Sequence, residues 1–194
     1  MKFDFPQVDL PCEILAWNDV TEDILNIYKQ SCRLKAGIFA ICTEGKMTAT
    51  INLIDYEIKP NDLITLLPGT IIQFRERTEK VRLCFAGFSS ECVERINLIK
   101  SMVSSFSKIT ECPIVELQED IASYLIDYFS LLARVTCDEK LSLPSEMTEV
   151  SLRSILTAVG LIYQRYSSCR QLRSFLASAV TSALASQLVS QNGT

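Results

Sequence analysis

Eight cysteines and no histidine set the limits on what chemistry this chain can do. Without an imidazole there is no Ser-His or Cys-His nucleophile pair, and the usual ligand for zinc, iron or copper is missing. The cysteines stand at 12, 32, 42, 84, 92, 112, 137 and 169, and the closest pair, Cys84 and Cys92, is too widely spaced for a CxxC knuckle. No metal and no cofactor is expected. Cys42 has no basic neighbour in sequence, which argues for a protonated thiol rather than a redox sensor. Glu44, Glu76 and Glu79 are of the type that forms an acid and base pair, but they sit among Lys46, Arg75, Arg77 and Lys80, where screening on a wet turn is the simpler reading. The residue types that remain suit binding. Trp17, Arg33, Phe39, Cys42, Thr50, Asn52, Gln73 and Arg75 are the candidate ligand contacts, because an aromatic wall with an arginine and amides fits a polar small molecule. The competing reading makes Trp17 and Phe39 core and Arg33 and Arg75 solvated.

Those candidates lie on segments that read as short strands. Glu13 to Trp17 is a mostly apolar run, and Lys35 to Cys42 is rich in small and β-favouring residues. From Lys46 to Leu53, Met47, Ala49, Ile51 and Leu53 alternate with polar residues behind the Glu44-Gly45 turn, which is a hairpin signal. Asp55 to Ile58 continues extended, and Lys59-Pro60-Asn61-Asp62 makes the next turn. Leu63 to Leu67, Thr70 to Arg75 and Val81 to Phe88 follow, with Pro68-Gly69 turning the chain between the first two. Six or more short strands at this spacing imply a barrel or a double-sheet jelly roll.

From Ser89 the period changes. Ser90 with Glu91 and Glu94 opens a helix expected to run from about 90 to 105. Pro113 is expected to begin a second, whose stripe includes Leu125, Phe129 and Leu132. Pro144-Ser145-Glu146 opens a third, with Leu152, Ile155, Val159 and Tyr163 on a wide apolar surface. Those seven apolar residues are the expected dimer interface, and the competing reading packs both helices on their own strands. The Ala/Ser-rich residues 170–194 repeat apolar positions at roughly helical spacing.

Length and composition fit a soluble globular chain: 194 residues, 48% hydrophobic and 22% charged. A net charge of -4 disfavours tight contact with nucleic acid. No apolar run approaches a membrane span and Met1 to Pro11 does not read as a signal peptide, so the expected location is the cytoplasm and thiols are expected to be free.

The block Gly37-Ile38-Phe39-Ala40-Ile41-Cys42-Thr43-Glu44-Gly45, the turn Lys59-Pro60-Asn61-Asp62 and Leu66-Leu67-Pro68-Gly69-Thr70 resemble the cupin-type sensor domain of AraC-family transcription regulators, as does the helical region ending near Ile162-Tyr163-Gln164. The resemblance covers roughly Thr21 to Arg165. It implies a mainly β plus α chain: a cupin-like jelly-roll barrel over 1–88 that senses a small molecule, then a helical region over 89–194 that pairs two copies into a homodimer. It also implies two C-terminal helix-turn-helix units, which residues 170–194 are too few to supply, so DNA would be reached only through a domain outside this chain. Metal-dependent cupins place histidines in the barrel, where this sequence has Ile71, Ile72 and Gln73 after Pro68-Gly69. The expected role is therefore a non-enzymatic sensor. Two alternatives stay open: a metal-independent cupin isomerase or epimerase acting on a sugar, and an interaction domain whose barrel is filled by its own side chains.

Overall fold

A computed structural model describes residues 5–20, 28–77, 80–96, 103–137 and 144–165. The reading of residues 170–194 lies outside these. Ten strands and four helices occur among the described residues. The strands are β1 (Gln7–Val8), β2 (Ile14–Trp17), β3 (Cys32–Leu34), β4 (Gly37–Glu44), β5 (Met47–Ile51), β6 (Ile54–Ile58), β7 (Asp62–Leu66), β8 (Ile71–Arg77), β9 (Arg82–Phe88) and β10 (Ile114–Glu116). The helices are α1 (Ser90–Arg95), α2 (Val103–Glu111), α3 (Glu119–Cys137) and α4 (145–165). No helix among the described residues is long and apolar enough to cross a membrane.

The strands form two five-stranded sheets. One runs β1-β3-β8-β5-β6 and the other β10-β7-β4-β9-β2. They are not closed into a barrel, one of the two architectures read from the strand spacing: among the described residues no strand of one sheet pairs with a strand of the other.

The second sheet is the middle layer. In β4, Phe39 and Ile41 point to the helices, while Ala40 and Cys42 point to the first sheet. The same alternation puts Cys84, Ala86 and Phe88 of β9 against the helices and Leu83 and Phe85 between the sheets. Burial on both faces explains why β4 reads as a nearly unbroken apolar run. On the helical side Phe39 meets Phe88 edge to face, with ring centroids 6.3 Å apart, and Leu125, Phe129, Leu152, Ile155 and Val159 close over them.

The strand read through Leu53 ends at Ile51, and two helix expectations are corrected as well. The helix expected from Pro113 begins at Glu119, because Ile114 and Val115 extend the middle sheet by pairing with Ile64 and Leu63. That pairing covers the edge of β7 and gives its main-chain groups hydrogen-bond partners. The helix expected over about 90–105 has α1 and α2 in its described parts, with residues 97–102 outside them. The turns at Asn61 and Gly69 hold as read, both with positive φ, whereas Gly45 has positive φ but does not close the hairpin expected there, because β4 and β5 belong to different sheets.

Candidate functional site

Between the two sheets lies a cavity of about 80 Å³. Its wall takes residues from six strands: Leu15 of β2, Leu34 of β3, Ile38 and Ala40 of β4, Ile64 and Leu66 of β7, Ile72 and Phe74 of β8, and Leu83 and Phe85 of β9. Leu10, Val20 and Tyr28 complete it from the connections. Among the described residues the wall is almost wholly apolar, and Tyr28 is its single titratable group. Burial pushes the Tyr28 phenol above its ordinary range, with nearby Cys32 adding to the rise, so the hydroxyl is neutral at physiological pH. Its ring stands edge-on to Phe74 at 5.8 Å, and Phe74 N–H donates to the Tyr28 carbonyl at 2.8 Å.

The N-terminal segment straps one side of this cavity. β1 pairs in parallel with β3, and the Pro6 and Val8 carbonyls accept from Arg33 N–H and Lys35 N–H, each at 2.8 Å. Leu10 then enters the wall and packs on Gly87, where a Cβ would lie 2.8 Å from Leu10 Cδ1. A Cβ there would require the Leu10 side chain to shift. Asp9 fastens the strap to α1 by accepting from Ser90 N–H and Ser90 Oγ. Burial alone would raise the Asp9 carboxyl, but these hydrogen bonds and that from Leu10 N–H outweigh it and hold the group low.

Beyond Asp9, Glu13 receives both Nη atoms of Arg95 at 2.9 Å. Arg95 Nε reaches Glu149 of α4 at 3.0 Å, and Ser145 Oγ of the same helix donates to Glu13 at 3.4 Å. The Arg95 contact holds Glu13 below the usual carboxylate range.

A second, larger cleft of about 270 Å³ lies where Pro68, Gly69 and Thr70 face Ile109, Thr110 and Pro113. The inter-sheet cavity is smaller, yet both sheets wall it, so a guest there loses its water on two sides.

None of the eight ligand contacts read from sequence is in the cavity wall. Thr50, Gln73 and Arg75 project from β5 and β8 to the opposite face, since Ala49, Ile51, Ile72 and Phe74 take the inner one. There Arg75 Nε donates to Thr50 Oγ1 at 2.7 Å, Thr50 Oγ1 donates to Asp55 at 2.6 Å, and Gln73 bridges Ser31 and the Lys29 carbonyl. Three of the eight are thus brought together, but outside. Asn52 occupies the β5–β6 turn, accepts from Ile71 N–H at 3.0 Å and lines the larger cleft. Arg33 donates to the Gly69 carbonyl at 3.1 Å. Phe39 is fully buried on the helical side, and Trp17 ends β2 at 42% exposure. Cys42 is buried between the sheets, where desolvation pushes its thiol up to about 11, so it is inert as a nucleophile at neutral pH.

The seven residues expected at a dimer seam are all buried within the chain. Leu125, Phe129, Leu132, Leu152, Ile155, Val159 and Tyr163 pack against the middle sheet and one another. Tyr163 also donates its hydroxyl to the Cys112 carbonyl at 2.9 Å. The solvent side of α4 instead exposes Met147, Val150 and Leu161.

Sequence reasoning passed over Leu10, Tyr28, Arg95 and the clasp around it. The period-two pattern of β7, β8 and β9 carries a signal for Ile64, Leu66, Ile72, Phe74, Leu83 and Phe85. Nothing local marks Leu10, whose place depends on contact with Gly87.

No family model and no curated protein matches this chain. Among solved structures it is similar to an apo form of ToxT from Vibrio cholerae, at 12% identity over 80% of this chain and 55% of that one, with a TM-score of 0.38. Another similar structure is ToxT from Vibrio cholerae bound to (E)-4-(8-methylnaphthalen-1-yl)but-3-enoic acid, at 10% identity, 77% and 53% coverage and a TM-score of 0.36. The AraC-like transcriptional activator CuxR is similar at 9% identity, 78% and 51% coverage and a TM-score of 0.41. The chain spans about half the length of each of these structures.

Proposed function

We propose that this chain is the sensor part of an AraC-type transcription regulator, with the two sheets arranged as a cupin-type sandwich that takes a small apolar molecule between them. The observation that carries this reading is the apolar inter-sheet cavity, walled by six strands and strapped by the segment bearing Leu10. Its lining supports an apolar guest rather than the polar one expected from sequence: a sugar would leave its hydroxyls without partners there, at a cost of several kcal/mol. The resemblance over residues 37–45, 59–62 and 66–70 supports the regulator assignment. A net charge of -4 fits a part of the regulator that does not itself hold DNA. Pairing of two copies belongs to the same reading, through the solvent side of α4 where Met147, Val150 and Leu161 are exposed. An isomerase is disfavoured because, among the described residues, the cavity wall brings no carboxylate or lysine to a bound molecule.

The test uses Trp17, the single tryptophan, which follows Leu15 on one face of β2. Thermal stability and Trp17 fluorescence are to be followed against a panel of small aliphatic and aromatic molecules, including alcohol and carboxylate members, with monosaccharides alongside. Saturable stabilisation by an apolar member is expected, because selective binding to the folded state raises stability. Ala40→Leu, which fills the cavity, should abolish that response while leaving the chain folded, at a cost of about 1–3 kcal/mol. Stabilisation by a sugar, or an apolar response that survives Ala40→Leu, overturns the assignment of this site.

A further inference from the structure

We infer that Arg95 couples the strap over the inter-sheet cavity to the first turns of α4, so that displacing Leu10 from the cavity loosens that end of the helix. This names the regulation of the site proposed above and rests on that reading.

The strap is fastened to α1 at two places: Asp9 to Ser90, and Glu13 to Arg95. The Glu13 carbonyl also accepts from Ser89 N–H at 3.0 Å. Leu10 lies between the two fastenings and is the strap's side chain in the cavity wall. A guest large enough to evict Leu10 pushes on this short stretch, which is held on either side of Leu10 by the two anchors.

The contact at Glu13 is the kind that resists small shifts. Both guanidinium Nη atoms meet both carboxylate oxygens at 2.9 Å, and a two-pronged pair of this geometry is lost on modest rotation or translation. The same guanidinium uses its remaining Nε on Glu149 at 3.0 Å. Ser145 and Glu149 are one helical turn apart, so Glu13 and Arg95 together grip one face of the first turns of α4. Arg95, Glu13 and Glu149 are each about one third exposed, which leaves this charge group partly sheltered from screening. When Glu13 leaves, Glu91 at 3.6 Å is the acid on Arg95's own helix ready to draw the guanidinium away from α4.

Leu10, Arg95 and α4 thus form one contiguous path from the cavity to a helix whose far side exposes Met147, Val150 and Leu161. Coupling of this sort is reciprocal: whatever fixes α4 tightens the strap, and whatever lifts the strap frees α4.

Hydrogen exchange in the absence of any ligand tests the coupling apart from the identity of the guest. Leu10→Asp places a charge that the apolar wall cannot hold, so the strap lifts without a bound molecule. Exchange of the amides at 149–152 should then rise roughly tenfold, the scale set by losing a charge-assisted hydrogen bond, while amides in β4 and β9 stay unchanged as an internal standard for global stability. Arg95→Met alone should give the same rise. In the Arg95→Met background, Leu10→Asp should add nothing further, a non-additivity that a merely structural arginine does not produce. Arg95→Lys, which keeps the charge without the two-pronged contact, should fall with Arg95→Met. Additive effects of the two substitutions, or unchanged exchange at 149–152 in Leu10→Asp, overturn the proposal, and either result leaves the cavity's ligand to be judged by its own titration.

Discussion

Asp62 shows how a single buried carboxylate makes stability depend on pH. It begins β7 at 3% exposure, where its Oδ2 accepts from Lys59 N–H at 2.9 Å and Glu116 sits opposite it across the strand pair. Burial pushes its pKa up; the Lys59 hydrogen bond and charge pull it back in part, and Glu116 and Glu57 push the same way as burial. A folded-state value above the unfolded one means that the protonated form is favoured by folding. The contribution is full below the unfolded value of 3.8 and is lost as pH rises through the folded value. Asp62→Asn keeps a carbonyl oxygen for Lys59 N–H and removes the titration. Urea midpoints measured from about pH 4 to 7 should fall less steeply across that range for the variant than for the wild type, and a parallel pair of curves excludes Asp62 as their cause. Read from sequence, Asp62 is only a turn residue after Pro60-Asn61. Its burial comes from β10, which arrives from far along the chain.

Among the elements, the β5–β6 hairpin is where backbone and side chain disagree. Ile51 pairs with Ile54, leaving a two-residue turn in which Asn52 and Leu53 both have positive φ, 49° and 68°. This is the turn whose twist suits a hairpin, and its second position favours glycine. Asn52 fits, and its Oδ1 ties the turn to Ile71 N–H. Leu53 does not fit: it is 71% exposed, gains nothing from packing, and carries a left-handed cost of about 1–2 kcal/mol. Leu53→Gly should raise stability by about 0.5–1 kcal/mol, after the larger chain entropy of glycine is deducted, with an unchanged denaturant slope. A loss of stability would mean that Leu53 has a contact the fold does not display. The alternation from Met47 to Ile51 was legible because polar and apolar residues differ in transfer energy, and so were the turns at Gly45 and Pro68-Gly69, whereas Leu53, read as continuing that strand, lies in the turn. The turn at Asn52-Leu53 was not legible, since a leucine carries no signal for positive φ. In the same way Ile114 and Val115 fit a strand as well as a helix start, and only the open edge of β7 selects between them.

At the scale of the whole molecule, three layers share one buried middle sheet, and their stability should concentrate where the helices meet it. Phe129 is fully buried against that sheet together with Phe39, Phe88 and Ile155. Phe129→Ala should cost about 3–5 kcal/mol, while Tyr124→Ala, at a position 69% exposed on the same helix, should change stability by less than about 0.5 kcal/mol. Equal losses at the two positions would mean that α3 does not pack by this face. The sequence by itself determined much at this scale: strands first and helices after, the Gly45 and Gly69 turns, an apolar stripe through Leu125, Phe129 and Leu132, and no histidine for a metal centre. Each of these follows from composition or from a short-range period, and a period of two or 3.6 fixes which residues share a face. What it cannot fix is what that face meets. Both faces of β4 are apolar, so only docking of α3 and α4 on one side and the first sheet on the other decided that Phe39 is core and Ala40 lines a cavity. The apolar stripes of the helices were likewise real, and the tertiary structure spent them on the chain's own middle sheet. Leu10 at the cavity and Arg95 between Glu13 and Glu149 depend on residues distant in sequence, and contacts of that kind leave no local periodicity to read.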